Sequence, residues 1–290
     1  MITQITNKIA QIKSAAGKTL VYFFLILGAV TMIIPFAWMF STSLKPYASV
    51  FIFNINQIQW IPSPVYWGNY INVWKVVPFA IFYLNSLFVC AAVTLAQVAT
   101  SAMAAYAFSR LKFPGREKIF FSYLATMMIP GSVTLIPVFV LMRVFGWVDT
   151  YKALVIPVAF SAYGTFMLRQ FFMTIPRDLE DAAKIDGCNY LGIFTRVILP
   201  LSKTALATLT VFVALGNWVS FMWPLLVTNS IEKRTLPVGL AYFQELYQYA
   251  QPDWGLLMAG SLVTMIPVMI IFLFGQKFFV EGIKLTGIKG

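Results

Sequence analysis

The 290-residue sequence predicts an all-α polytopic membrane protein with six transmembrane helices, and three observations carry that prediction. Hydrophobic residues make up 60% of the chain and charged residues only 11%, for a mean hydropathy of +0.79, more apolar than a water-soluble domain tolerates. The apolar residues gather in six runs, each long enough to cross about 30 Å of hydrocarbon. No run alternates in polarity as a barrel strand does, and otherwise only a helix pairs all of its own amides in lipid. A cytosolic enzyme is excluded.

The first run, Leu20 to Phe40, is as long as a span requires and no small-residue cleavage site follows it, so it reads as an anchor rather than a signal. Residues 1–18 ahead of it form a cytoplasmic N-terminal segment. Ile2, Ile5, Ile9 and Ile12 recur there at helical spacing around Lys8 and Lys13, which fits a short helix on the membrane surface, with an unstructured tail as the competing reading. Residues 19–290 form one transmembrane domain, whose further spans are Ala80 to Phe108, Ile119 to Val144, Ala153 to Phe172, Ala205 to Val227 and Leu256 to Phe279. Pro130, Pro137, Pro157, Pro224 and Pro267 fall within or at the ends of these runs, where each removes a helical hydrogen bond and kinks or opens the helix.

Of the 21 Lys and Arg residues, fifteen fall on the side of the N-terminus and six on the other. Cytoplasmic connections keep the excess of positive charge, so both termini face the cytoplasm. The same distribution accounts for the net charge of +11 without nucleic acid, because the basic residues are dispersed among apolar runs. Cys90 and Cys188 form no disulfide framework, and with no histidine in the chain the commonest metal ligand is missing.

Three segments outside the spans are long enough to work as something more than connections. Ser43 to Pro78 is external and carries Trp60, Tyr66, Trp67, Tyr70 and Trp74, as interfacial anchors or a docking surface. Thr228 to Gly255 is also external and includes the Tyr-rich run Tyr242 to Tyr249.

The third, residues 174–203, is cytoplasmic. Within it Thr174 to Gly187 reads as a short, terminated helix: Pro176 suits the first position, Asp178, Glu180 and Asp181 favour the positive end of the dipole, and Gly187 suits the left-handed stop. Leu179, Ala182, Ala183 and Asp186 share one face, a narrow ridge of mostly small side chains suited to a groove in another protein. A second helical stretch, Tyr190 to Val197, ends at Leu199-Pro200 and completes a helix-turn-helix unit.

This unit resembles the cytoplasmic signature loop of binding-protein-dependent ABC importer permeases. That pattern, Glu-Ala-Ala, three residues, Gly, nine residues, Ile-x-Leu-Pro, stands here as Asp181-Ala182-Ala183, Gly187 and Val197-Ile198-Leu199-Pro200, with both spacings kept. Asp181 for Glu and Val197 for Ile are the two departures. Asn217 to Asn229, Arg234 to Leu240, Asp253 to Gly260 and Phe279 to Gly282 are similar to the C-terminal half of carbohydrate permeases like the second membrane subunit of the maltose importer.

The resemblance implies a coupling helix that ATPase subunits grip, with Glu180, Asp181, Ala182, Ala183, Asp186 and Gly187 as its coupling residues. It also implies a second, different permease subunit, an ATPase dimer, and an extracytoplasmic binding protein reached by the Tyr242 to Tyr249 loop, with Glu281 to Gly290 touching the ATPases. ATP and Mg would sit on the ATPases, and this chain would bind no cofactor or metal and catalyse nothing itself.

For the solute pathway the sequence offers Asn85, Gln97, Tyr163, Asn217 and Trp218, polar or amphipathic groups within spans; helix packing competes as an explanation for each. Asn217 and Trp218 are favoured, followed by Asn85 and Tyr163. The alternatives are an importer permease for a non-sugar solute and an ion-coupled secondary transporter. No run carries a central acidic residue, which argues against the latter.

Overall fold

The structure, a computed structural model, describes residues 2–46, 60–245 and 253–287, with side chains for 17–46, 60–243 and 253–277. Every regular element among the described residues is helical, as the hydropathy pattern requires. The chain forms two compact units, Met1–Lys75 with Tyr247–Val263, and Val76–Leu246 with Thr264–Gly290.

In the first unit, α1 (Ile2–Ser43) is one continuous helix that takes in the stretch ahead of the first apolar run. Within this chain every residue from Leu20 to Ala37 is exposed. The C-terminal carbonyls of α1 are taken by Asn69 at the start of α2 (Gly68–Val76), whose Nδ2 donates to Ser43 O at 2.8 Å and Lys45 O at 2.9 Å. Gly255 lies against the same corner, where a Cβ would stand 2.6 Å from Lys45 O.

The second unit is built on α3 (Phe79–Arg110), which contains neither Gly nor Pro and packs along α7 (Ala162–Thr174) and α10 (Lys203–Trp218). Around it come α4 (Arg116–Ala125), α5 (Gly131–Val144), α6 (Tyr151–Val155), α8 (Asp178–Ile185), α9 (Tyr190–Leu201), α11 (Met222–Val227) and α12 (Leu236–Glu245). The last helix, α13 (Trp254–Gly287), begins in the first unit and runs through Pro267.

Among the described residues the apolar runs differ in continuity. Three helical stretches are long and apolar enough to cross a bilayer unaided: Gly17–Ser43, Phe79–Arg110 and Trp254–Lys277. The predicted span Ile119 to Val144 is bent by 101° between Arg116–Met128 and Gly131–Val144, at Pro130. The predicted Ala205 to Val227 ends its first helix at Trp218, and that helix meets Tyr190–Leu201 at 80°.

The predicted Ala153 to Phe172 breaks between α6 and α7 around Pro157, leaving 13 residues in its longer piece. At about 1.5 Å per residue that piece spans only about 20 Å. The carbonyls freed at this break are not abandoned: Gln97 Nε2 on α3 donates to Val158 O at 2.9 Å and Thr100 Oγ1 to Ala159 O at 2.7 Å. Gln97 is therefore a packing residue. Pro137 and Pro267, in contrast, are carried inside continuous helices.

Candidate functional site

The loop between α7 and α10 folds as a helix, a tight turn and a second helix. α8 starts two residues after Pro176 with Asp178, Glu180 and Asp181 in its first turn and Lys184 in its last, each sign at the dipole end that favours it. Gly187 has φ +81°, the left-handed stop that the sequence predicts. Asn189 then caps α9, its Oδ1 accepting from Gly192 N at 2.8 Å; this cap was not foreseen, though Asn before a helical run is its usual signal. Within α9 the stretch Phe194–Ile198 is a π turn that ends two residues before Pro200.

The face that α8 offers differs from the predicted ridge. Ala183 is buried in an apolar core with Tyr106, Leu168, Phe172, Ile175, Ile193 and Phe194, so it cannot share an outward face with Ala182. Glu180, expected among the outward coupling carboxylates, points the same way and lies 2.9 Å from the Arg110 guanidinium at the end of α3, both side chains buried. Arg110 also donates to Phe172 O and, at 2.8 Å, to Ile175 O, the carbonyls that end α7.

The exposed side consists of Asp178, Leu179, Asp181, Ala182, Lys184, Ile185 and Asp186, with Ile185 87% exposed. Apolar patterning could not separate the faces because Ala suits either environment and an acid is buried only where a distant partner awaits it; the signal would have been Arg110, closing an apolar span. Asp181 pairs with Lys184 at 2.7 Å on the surface, and that hydrogen bond holds its carboxyl below the usual carboxylate range.

Close by, a second ionic knot ties α7 to α4. Arg169 Nη2 donates to both carboxylate oxygens of Glu117 at 2.9 and 3.0 Å, its Nε donates to Phe108 O, and its guanidinium lies over the Phe120 ring. The short helices α4, α7 and α8 are thus fastened to the C-terminal end of α3.

The four proposed pathway residues do not converge. Asn217 and Trp218 line one cavity of about 20 Å³ with Ser86, Leu154, Trp223 and Pro237, room for about one water and not for a sugar ring. Trp218 is 2% exposed and donates from Nε1 to Thr264 O, while Asn217 bonds back to Val213 O of its own helix.

Asn85 is committed elsewhere: its Nδ2 donates to Glu232 O and Arg234 O at 2.8 and 2.9 Å, and its Oδ1 accepts from Tyr151 at 2.7 Å. It ties α3 to α6 and to the stretch ahead of α12. Tyr163 is 47% exposed, away from that cavity. Of the Tyr242 to Tyr249 run, residues 246–249 lie outside the described residues, as do the side chains of Glu281 to Gly290 and residues 47–59 of the Ser43 to Pro78 segment.

A set of apolar helices with one polar helix-turn-helix loop seated on the core defines a multi-pass membrane transport subunit. The chain belongs to the family of binding-protein-dependent transport system inner membrane components, whose model it matches over residues 9–285. It is 32% identical over 279 residues to the probable ABC transporter permease protein YurM of Bacillus subtilis, covering 94% of this chain and 89% of that protein. It is 36% identical over 206 residues to the arabinooligosaccharides transport system permease protein AraQ of Halalkalibacterium halodurans, covering 71% of this chain and 73% of the other. Among solved structures it is similar to a chain of a bacterial ABC transporter involved in the import of the acidic polysaccharide alginate, with a TM-score of 0.79 and 26% identity over 90% of this chain and 95% of that one.

Proposed function

We propose that this chain is the translocating subunit of an ATP-driven importer for a sugar or oligosaccharide, with α8 as the lever that separate ATPase subunits move. The observation that carries this reading is the two-sidedness of α8: Glu180 and Ala183 fasten it to the core, while Asp178, Asp181, Ala182 and Ile185 are exposed within this chain. A helix fixed below and bare above transmits force from whatever grips it.

On this reading Asp181 and Asp186 meet basic or amide groups of the ATPase, Ala182 permits close approach and Gly187 supplies the turn. Glu180 and Ala183 act from beneath, holding the lever to its own spans. The loop and both termini face the cytoplasm, as the distribution of Lys and Arg favours.

Nucleotide and Mg sit on the ATPase dimer, so this chain hydrolyses nothing and binds no cofactor. The cavity beside Asn217 and Trp218 is too small for a sugar, which supports a second permease subunit completing the pathway; in our reading that subunit is a different chain. An extracytoplasmic binding protein delivers the solute. Similarity to the arabinooligosaccharide permease and to the alginate importer supports a carbohydrate as that solute.

The test is to co-purify the chain with the products of neighbouring genes, reconstitute the complex in vesicles, and assay ATP-driven uptake across a panel of oligosaccharides with the binding protein. Uptake of one sugar class with stimulated hydrolysis is the expected result. Uptake of a non-sugar solute alone would remove the carbohydrate assignment, and transport driven by an ion gradient without ATPase subunits would remove the whole reading.

A further inference from the structure

The two gripped ends of α3 belong to one rod. At one end Asn85 donates to Glu232 O and Arg234 O, and the adjacent Ser86 accepts from Leu236 N at 2.7 Å, so two neighbouring side chains hold the start of the second external segment. At the other end Arg110 holds Glu180 of α8 together with Phe172 O and Ile175 O. Between them the helix contains no Gly or Pro, and the separation along its axis is about 37 Å at about 1.5 Å per residue. The helices packed beside it are different: α7 begins only after the break at Pro157, and α10 stops at Trp218.

Both grips are of a kind that resists slipping. Asn85 and Ser86 are 5% and 4% exposed, and the groups they satisfy are backbone atoms, so separating them would leave buried polar groups unpaired. The Arg110 and Glu180 side chains are 4% and 8% exposed, and separating a buried ion pair is costlier still. An intact helix is stiffer than either grip is weak, so a displacement at one end moves the other as a rigid body.

From this we propose that α3 is the rod that carries the docking signal between the external loop and the coupling helix, with Asn85 and Ser86 as positioning residues at one end and Arg110 at the other. The inference rests on the importer reading and adds to it the route by which arrival of a binding protein is felt by the ATPases. A rod in series predicts a particular arithmetic. Cutting either end disconnects the same line, so cutting both does no more than cutting one, whereas sites this far apart with separate local roles contribute independently.

The experiment uses the complete reconstituted complex and mild variants that leave the response measurable. Ser86→Ala, Arg110→Lys and the double variant are compared for the ratio of ATP hydrolysis with and without saturating binding protein. Each single change is expected to lower that ratio about threefold and the double also about threefold, against about ninefold for independent sites. Glu180→Gln replaces Arg110→Lys, and Asn85→Ser replaces Ser86→Ala, should either fail to assemble.

A ninefold loss in the double, or single variants with an unchanged ratio, overturns the rod. A wild-type complex that shows no binding-protein stimulation at all overturns the importer reading instead, so the two failures are distinguishable.

Discussion

The Arg110 guanidinium and the Glu180 carboxylate lie 2.9 Å apart with almost no side-chain exposure, which joins the last residue of a membrane-crossing helix to the third residue of α8. The cost of desolvating the two charges is offset in part by Arg110 Nη2, which donates to Phe172 O and Ile175 O. Glu180→Ala is therefore expected to destabilise the loop by about 3–5 kcal/mol, the cost of an uncompensated buried charge. Hydrogen exchange of the Asp178–Ile185 amides would report it: rapid exchange in the variant is expected, and protection equal to wild type would mean that the pair does not hold α8.

Neighbouring alanines give opposite outcomes. Ala183 is 7% exposed among Phe172, Ile193 and Phe194, so Ala183→Leu overpacks the core at about 1–3 kcal/mol and lowers the unfolding temperature of the purified chain. Ala182 is exposed, so Ala182→Leu leaves that temperature unchanged while reducing capture of ATPase subunits in a pull-down. Ile185→Asp, at the most exposed position of α8, behaves like the Ala182 variant. Equal thermal effects at 182 and 183 would contradict the assigned faces.

Gly187 has open space around its Cα, and only its φ of +81° resists a side chain. Gly187→Ala is expected to cost about 1 kcal/mol and Gly187→Asn less, since Asn tolerates the left-handed region better. Thermal unfolding of the two variants side by side checks the order.

How far the sequence discloses this architecture depends on what each signal measures. The bounds of α8 were legible because caps and stops are local chemistry: acids at one end, Gly187 at the other. The continuity of spans was only partly legible: Pro157 marks a kink or an opening without saying which, since Pro137 and Pro267 sit inside continuous helices and hydropathy records composition alone. The break at Pro157 shows in Gln97 and Thr100, distant in sequence, which supply the missing hydrogen bonds. Asn85 reads from the sequence as either a solute contact or a packing residue. A buried amide is marked by its need for partners, and Glu232 O and Arg234 O are known only once the fold is.

Gly239 is a case of close approach rather than backbone freedom. A Cβ there would fall 2.1 Å from the Phe82 ring, so α12 can touch α3 only with a bare Cα. Gly239→Ala is expected to cost about 1–3 kcal/mol by overpacking. Phe82→Leu, which removes the offending ring edge, should recover part of that loss in the double variant. A double variant whose unfolding temperature falls by the full sum of the two single effects would show that the two residues do not meet.

Asp149 holds the start of the segment that follows α11. It is a non-glycine residue at φ +63°, a conformation Asp accepts, and its Oδ1 accepts from Asn229 N, Ser230 N and Ser230 Oγ at 2.9 to 3.0 Å. Burial alone would push this carboxyl up, but the three hydrogen bonds and the Lys233 ammonium outweigh it, so it titrates below the usual carboxylate range. A carboxyl with a depressed value in the fold adds stability above its unfolded value, about 3.9, and loses that stability as pH falls through the lower folded value. Asp149→Asn keeps an acceptor oxygen and removes the charge. The variant is thus expected to unfold at a lower temperature than wild type at pH 7 and to converge on it below about pH 4. A gap between the two that stays constant from pH 7 to pH 3 would mean that the charge of Asp149 plays no part in holding the loop.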